Sequence, residues 1–483
     1  MDIYLSSALY RFFLKEHPTE TKDEIKKKIF EKGWTEEQVY KFINNYRDLT
    51  YTEENIVKYI DLVSFFQYDM ENDFVNYILH IYIIKKQFLD RIYGYGCIID
   101  TVCKLCEKDE YKILDDDLLI YLSNYVEIDK LDASNINKIT DEGIKHMQLH
   151  TLYAIRSKIT DEGIKYMHLH TLDASDSEIT NEGIKHMQLH TLHASQHMTD
   201  DGIKHMQLHT LDASRSQITD KGIKHMQLHT LDISPYMTDK GIKHMQLHTL
   251  HASGSQITDE GIKHMQLYTL HASPHMTDEG IKHMQLHTLY ASRNMTDEGI
   301  KHMQLYTLCA SFSKITDEGI KHMQLHTLYA GCSKITDEGI KHMQLHTLDT
   351  SEHITDEGIK HMQLHTLNAL WSQITDEGIK HMQLHTLDVS PYITDSGIKH
   401  MQLHTLYASK HITDEGIKHM QLHTLDVYSS HITDEGIKHM HLHTLYASEY
   451  MTDEGIKHMQ LHTLYANYSR ITYNIRNGIR ENK

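Results

Sequence analysis

The sequence predicts an α/β solenoid of short strands and helical turns, preceded by an α-helical region. Three observations carry this. The phrase Ile/Met-Thr-Asp-Glu-Gly-Ile-Lys-His-Met-Gln-Leu-His-Thr-Leu recurs almost unchanged, its Thr appearing 17 times from Thr140 to Thr452. The sixteen spacings are eight of 20 residues and eight of 19, a period that belongs to stacked coils of chain. Each period holds two apolar rhythms, an alternation followed by near-helical spacing. The skew toward 43 His, 24 Met and 29 Tyr against 2 Trp is the mark of one short unit copied many times.

Residues 1–113 show no repeat and no strand alternation. Thr21-Lys22-Asp23-Glu24 and Thr35-Glu36-Glu37-Gln38 are capping boxes, and Gly33 ends the first of those helices. Val39, Phe42, Ile43 and Tyr46 share one helix face. Four to six packed helices are expected. Cys97, Cys103 and Cys106 form a Cys-x5-Cys-x2-Cys run. Zinc needs four ligands, usually in two pairs, so these read as thiols on a helix.

The array follows over 114–470. With Leu149 as place 1, apolar residues fall at places 1, 4 and 6 (Leu149, Leu152, Ala154) and at places 11, 16 and 19 (Ile159, Ile164, Met167). The first three are the inward side of a short strand and its approach. Thr160-Asp161-Glu162 reads as a helix start, an N-cap oxygen followed by acids at the positive end of the dipole. Gly163 serves a tight turn or a close contact between units. In 20-residue units place 9 is usually Ser, with one polar residue before Ile. In 19-residue units His197, Tyr236 or Asn294 is followed directly by Met, and the bulkier side chain is expected to fill the space of the deleted residue. Ile113 to Leu131 reads as a degenerate first unit and 471–483 as a C-terminal cap, because a stack needs closed ends.

Leu149-x-x-Leu152-x-Ala154-x-x-Ser157-x-Ile159 resembles the eleven-residue core of a leucine-rich repeat. The following Thr-Asp-Glu-Gly-Ile-Lys-His-Met resembles the convex half of the cysteine-containing subtype found in F-box-associated receptors, and near-identical arrays occur in proteins of large DNA viruses and amoebal hosts. The resemblance covers roughly residues 114–466 and recurs 17 times. It implies a leucine-rich-repeat solenoid with a parallel β-sheet on its concave face, where partners bind, and short helices on its convex face. The array departs from the family by carrying Ala at place 6, where Leu is preferred. It also has Ser, His or Tyr at place 9 in place of the Asn or Cys that builds the family's side-chain ladder. The family's F-box opening, Leu-Pro, is absent from 1–113, where Pro18 is the only proline.

Composition excludes several classes. A formal charge of −19 argues against nucleic acid, which calls for a basic stripe. Five Cys in 483 residues exclude a disulfide scaffold and fit a reducing, cytoplasmic setting. Asp2 stands where a signal peptide would be basic. The apolar run Tyr77 to Ile84 is far short of the roughly 20 residues of a bilayer span. No catalytic constellation, phosphate-cradling loop or nucleophile elbow emerges. No enzyme activity, cofactor or small-molecule substrate is therefore expected, and the recurring acids read as scaffold.

Histidine fills place 2 in 15 of 17 units, with Tyr268 and Tyr306 in the others, and place 18 in 16 of 17. Two columns of rings roughly 5 Å apart follow from the strand spacing. The easy exchange for Tyr argues against an obligatory metal ligand, so no metal site is assigned. Protonating all 43 His would carry the charge from −19 to +24, and stacked imidazolium rings repel. The array is therefore expected to loosen below about pH 6.

Variation inside the chain concentrates at place 5, expected in mid-strand and pointing away from the core, and at place 8. Place 5 is Tyr six times, Asp six times and His three times, with Cys309 and Asn368 completing the set. Tyr290, Arg293, Phe312 and Tyr329 form an aromatic–basic patch, and Asp349, Asn368, Trp371 and Asp388 an acidic patch with one large anchor. Aromatic and Arg anchors dominate binding energy. The expected function is a non-enzymatic scaffold that binds a protein partner on this face. The alternatives are a substrate-receptor adaptor of a ubiquitin ligase and a His-rich metal-binding or pH-responsive protein.

Overall fold

The computed structural model describes residues 114–123, 127–459, 461 and 463–472. The helical region expected over 1–113, with Cys97, Cys103 and Cys106, lies outside the described residues, as does the tail beyond Thr472. The chain divides into two compact units, Met1–Leu208 and His209–Lys483. In the first, β1 (Lys130–Asp132), β2 (Thr151–Tyr153), β3 (Thr171–Asp173) and β4 (Thr191–His193) pair in parallel, in chain order and in register. In the second, β5 (Thr210–Asp212) through β18 (Thr463–Tyr465) do the same. A single helical turn, such as Asp161–Ile164 or Asp317–Ile320, connects one strand to the next. Each unit is thus an open stack of strand-and-turn coils, the solenoid α/β fold that the period predicts.

All six apolar places of the repeat are interior. Leu149, Leu152, Ala154, Ile159, Ile164 and Met167 are buried, and so are their equivalents in coil after coil. The strands are three residues long with only the central Leu inside, as two-fold alternation requires. The helical turns are too short to form alone. Each is held by burial of its Gly and Ile and, except at Thr199, by an N-cap Thr whose hydroxyl accepts the backbone N–H two residues on, as Thr160 does from Glu162. Exposed Glu–Lys pairs such as Glu162–Lys165 decorate the turns and add little.

The Asp after each Thr joins coil to coil. Asp141 accepts the N–H of Thr160 at 2.7 Å and its hydroxyl at 2.6 Å. The same pair of bonds links Asp297 to Thr316 and Asp434 to Thr452. Glycine completes the motif: a Cβ on Gly319 would sit 2.4 Å from Asp297 Oδ1 and 3.2 Å from its Cα. Thr, Asp and Gly therefore form one ladder on the helix side, where the sequence reading saw only a helix start and a close contact. At Asn181, the one natural Asp→Asn change in the motif, Nδ2 donates to Thr199 Oγ1 and Thr199 loses its side-chain cap. The first coil uses the same device, since Asp116, at the start of α1 (Asp116–Ser123), binds Thr140.

The two coil lengths differ in a buried serine, which corrects the expectation of a bulky filler. Tyr236 is 59% exposed and Tyr392 57% exposed, so neither fills the gap. In 20-residue coils the place 9 Ser turns back on its own coil, as Ser177 does to Ala174 O at 2.7 Å. In seven of the eight 19-residue coils a buried Ser at place 7 reaches the preceding coil instead: Ser195 donates to Ile179 O at 2.5 Å, Ser351 to Ile335 O at 2.6 Å and Ser390 to Ile374 O at 2.5 Å. A buried hydroxyl must find an acceptor; deleting one residue moves that acceptor across the coil boundary.

Candidate partner-binding face

Because the middle Leu of each strand points inward, the Thr before it and the place 5 residue after it face solvent together. Place 5 closes the strand rather than sitting at its middle. Strand register aligns Tyr290, Cys309, Tyr329, Asp349, Asn368 and Asp388 as direct neighbours along the sheet. All are half-buried and none is in the interior. The two patches read from the sequence are therefore one row. Rings of Tyr290 and Tyr329 lie 6.3 Å apart across Cys309.

The place 8 residues flank this row from the loops that follow the strands. Arg293 is exposed, Phe312 is 72% exposed and Trp371 69% exposed. Phe312 has φ 60°, in the left-handed region, as have Arg156, Asp176 and Cys332 at the same place. That backbone is costly for a side-chain-bearing residue, by roughly 1–2 kcal/mol. Asn368 is partly committed to structure, its Oδ1 accepting the Leu370 N–H at 3.1 Å.

The row changes character along its length. Toward its start, Asp232 pairs with His251, whose ring centroid lies 4.1 Å from that of His271, and His271 stacks on Tyr290 at 3.9 Å. The Asp232 carboxylate draws His251 toward its charged form, while burial and the charge of His251 push His271 down to about 4. Toward its end no cation among the described residues pairs with Asp349, Asp388 or Asp426. Burial, then the charges of Asp426 and Asp349, pushes Asp388 up to about 6. Burial likewise raises Asp349 and Asp426. Tyr446 and Tyr465 close the row with rings stacked at 4.2 Å.

Beside the row runs the place 2 column. In the first unit His150, His170 and His190 stack, and in the second the stack runs from His209 to His443, with Tyr268 and Tyr306 taking their places in it. Centroids are 4.5–4.9 Å apart and planes 11–21° from parallel. Many of these rings, His170 and His404 among them, place Nδ1 3.2–3.4 Å from the hydroxyl of the following Thr. Burial, and next the neighbouring imidazoles, lowers His170, His326, His365 and His404 below the ordinary histidine value. Place 18 histidines such as His225 and His244 lie exposed on the helix side. Among the described residues no three His, Cys, Asp or Glu side chains are grouped to hold a metal ion, and no helix is long and apolar enough to cross a membrane.

Sequence reasoning missed the Asp232–His251–His271 cluster and the neighbours of Asp388, namely Tyr407 and Asp426. The signal was there: place 5 residues of consecutive units must touch, so reading that place as a string rather than as separate picks finds both groups. The chain matches no protein-family model and no curated protein.

Proposed function

We propose that the array is a leucine-rich-repeat scaffold of the cytoplasm, without enzymatic activity, that holds a protein partner along the place 5 row. What carries this reading is the partition of change within the chain. Core and ladder places are held nearly constant, and so is the Thr that opens each strand, while the place 5 line beside it on the solvent side of the sheet runs through Asp, His, Tyr, Cys and Asn. Large exposed side chains at its edge supply the anchors that such interfaces use. The 24% charged composition and net charge of −19 support a partner other than nucleic acid.

Trp371→Ala combined with Phe312→Ala is expected to weaken partner capture from native cells at least about tenfold. Both side chains are mostly exposed, so the melting temperature should stay within a degree or two of the parent. Unchanged capture by a well-folded double variant would remove these residues from the interface.

A further inference from the structure

On the second unit, β14 (Thr386–Asp388), β15 (Thr405–Tyr407) and β16 (Thr424–Asp426) end at a cleft of about 380 Å³. Asp388 and Asp426 stand in its wall on either side of Tyr407, one strand away from it in each direction. Leu370, Pro391 and Tyr428, all exposed, supply apolar wall. Lys410 and His411 also border the cleft, both exposed.

The charges here differ from those at place 5 of several other coils. Asp232 is answered by His251, and Asp173 lies 3.5 Å from His193. Asp388 has no hydrogen-bond or ion-pair partner for its carboxylate among the described residues, and Asp426 accepts only the backbone N–H of Tyr428, at 3.0 Å. Neither Lys410 nor His411 pairs with them. Two partly buried carboxylates facing one cavity, with no cation paired to either among the described residues, are held at a cost. Burial together with mutual repulsion accounts for the upward displacement of Asp388.

We propose that this cleft receives the side chain of a lysine or arginine from an extended segment of the partner. The charged head would lie between Asp388 and Asp426 against the face of Tyr407, where a cation gains from both carboxylates and the ring. The aliphatic stem would lie along Leu370, Pro391 and Tyr428, since long basic side chains bury their methylenes while keeping the head polar. Charge complementarity selects a basic occupant, and the apolar wall selects one with a stem. This assignment rests on the scaffold reading and adds the chemistry of the partner to it.

The test is selection of a random linear-peptide library on the full chain, followed by calorimetry with a selected peptide. The expected result is enrichment of a Lys or Arg beside apolar residues. Asp388→Asn/Asp426→Asn, which keeps size and shape, should then lower the affinity at least tenfold, and so should norleucine in place of the basic peptide residue. Four outcomes overturn the assignment. These are enrichment of acidic or purely apolar peptides, basic peptides that bind the double variant equally well, no enrichment at all, and self-association abolished by the same substitutions, which would seat a second copy there. The scaffold reading survives any of these if Trp371→Ala/Phe312→Ala still weakens partner capture, so the two failures are distinguishable.

Discussion

Gly319→Ala is expected to lower unfolding stability by about 2–4 kcal/mol, a large loss for one methyl group. The added Cβ would meet Asp297 Oδ1 at 2.4 Å. That carboxylate cannot swing away freely, because it accepts both the N–H and the hydroxyl of Thr316 at 2.7 Å. Evicting it breaks two charge-assisted bonds and leaves the Thr316 donors without a partner. Asp297→Ala alone should cost about 2–3 kcal/mol by the same losses. The double variant decides the mechanism. With Asp297 truncated, the methyl on Gly319 has lost its main obstacle, so the combined cost should fall short of the sum by about 1 kcal/mol or more. Strict additivity in denaturant titrations would mean that the two residues do not act through one contact. Because the coils form a linear stack, a weakened step also uncouples the coils on its two sides. The unfolding transition should broaden as well as shift.

The second large effect is pH dependence. His170, His326, His365 and His404 have folded values below that of the unfolded chain, near 6.5. Between the two values the unfolded state binds more protons, so stability is fully present above about pH 6.5 and is lost as pH falls through the folded values. His271, at about 4, acts in the same direction. Asp388 acts in the opposite one: its folded value of about 6 lies above the unfolded carboxylate, so it contributes stability as pH falls from 6 toward 4. His251, drawn upward by Asp232, also opposes the column. The column is isolated by replacing part of it with the residue the chain itself uses there. Tyr268 and Tyr306 stack within it at 4.6–4.9 Å, so His326→Tyr/His346→Tyr/His365→Tyr should keep the stack at pH 7.5. The fall in melting temperature from pH 7.5 to pH 5 should be several degrees in the parent and distinctly smaller in the variant. Equal falls would show that the stacked rings do not govern acid sensitivity.

The solenoid was legible because its information is periodic. Every buried apolar place of the unit at Leu149 to Met167 could be named from apolar spacing, and the parallel register follows from near-identical coils. What escaped were features that depend on contacts between coils rather than within one. Asp141 looks like a dipole acid when its own helical turn is read alone; its partners Thr160 and Gly163 belong to the next turn. The short coils looked as though a bulky side chain repaired them, whereas a buried Ser changes its acceptor from its own coil to the preceding one. On the candidate face, Tyr290, Tyr329, Asp349, Asn368 and Asp388 end their strands on the solvent side, and Arg293, Phe312 and Trp371 lie in the loops that follow. The meaning of Asp388 nonetheless depends on Asp426, two strands away, and on the cleft between them. Neither is visible in any single unit.

The claim that partners meet the sheet row is tested most directly by site-specific photo-crosslinking in native cells. A photoreactive phenylalanine analogue would be placed at Phe312 and Trp371, beside the row, and at His225 and His381, on the helix side. All four positions are exposed, so each variant should fold. The account predicts a shared partner adduct at Phe312 and Trp371 and none at the two histidines. Adducts at His225 and His381 with none at Phe312 or Trp371 would contradict it.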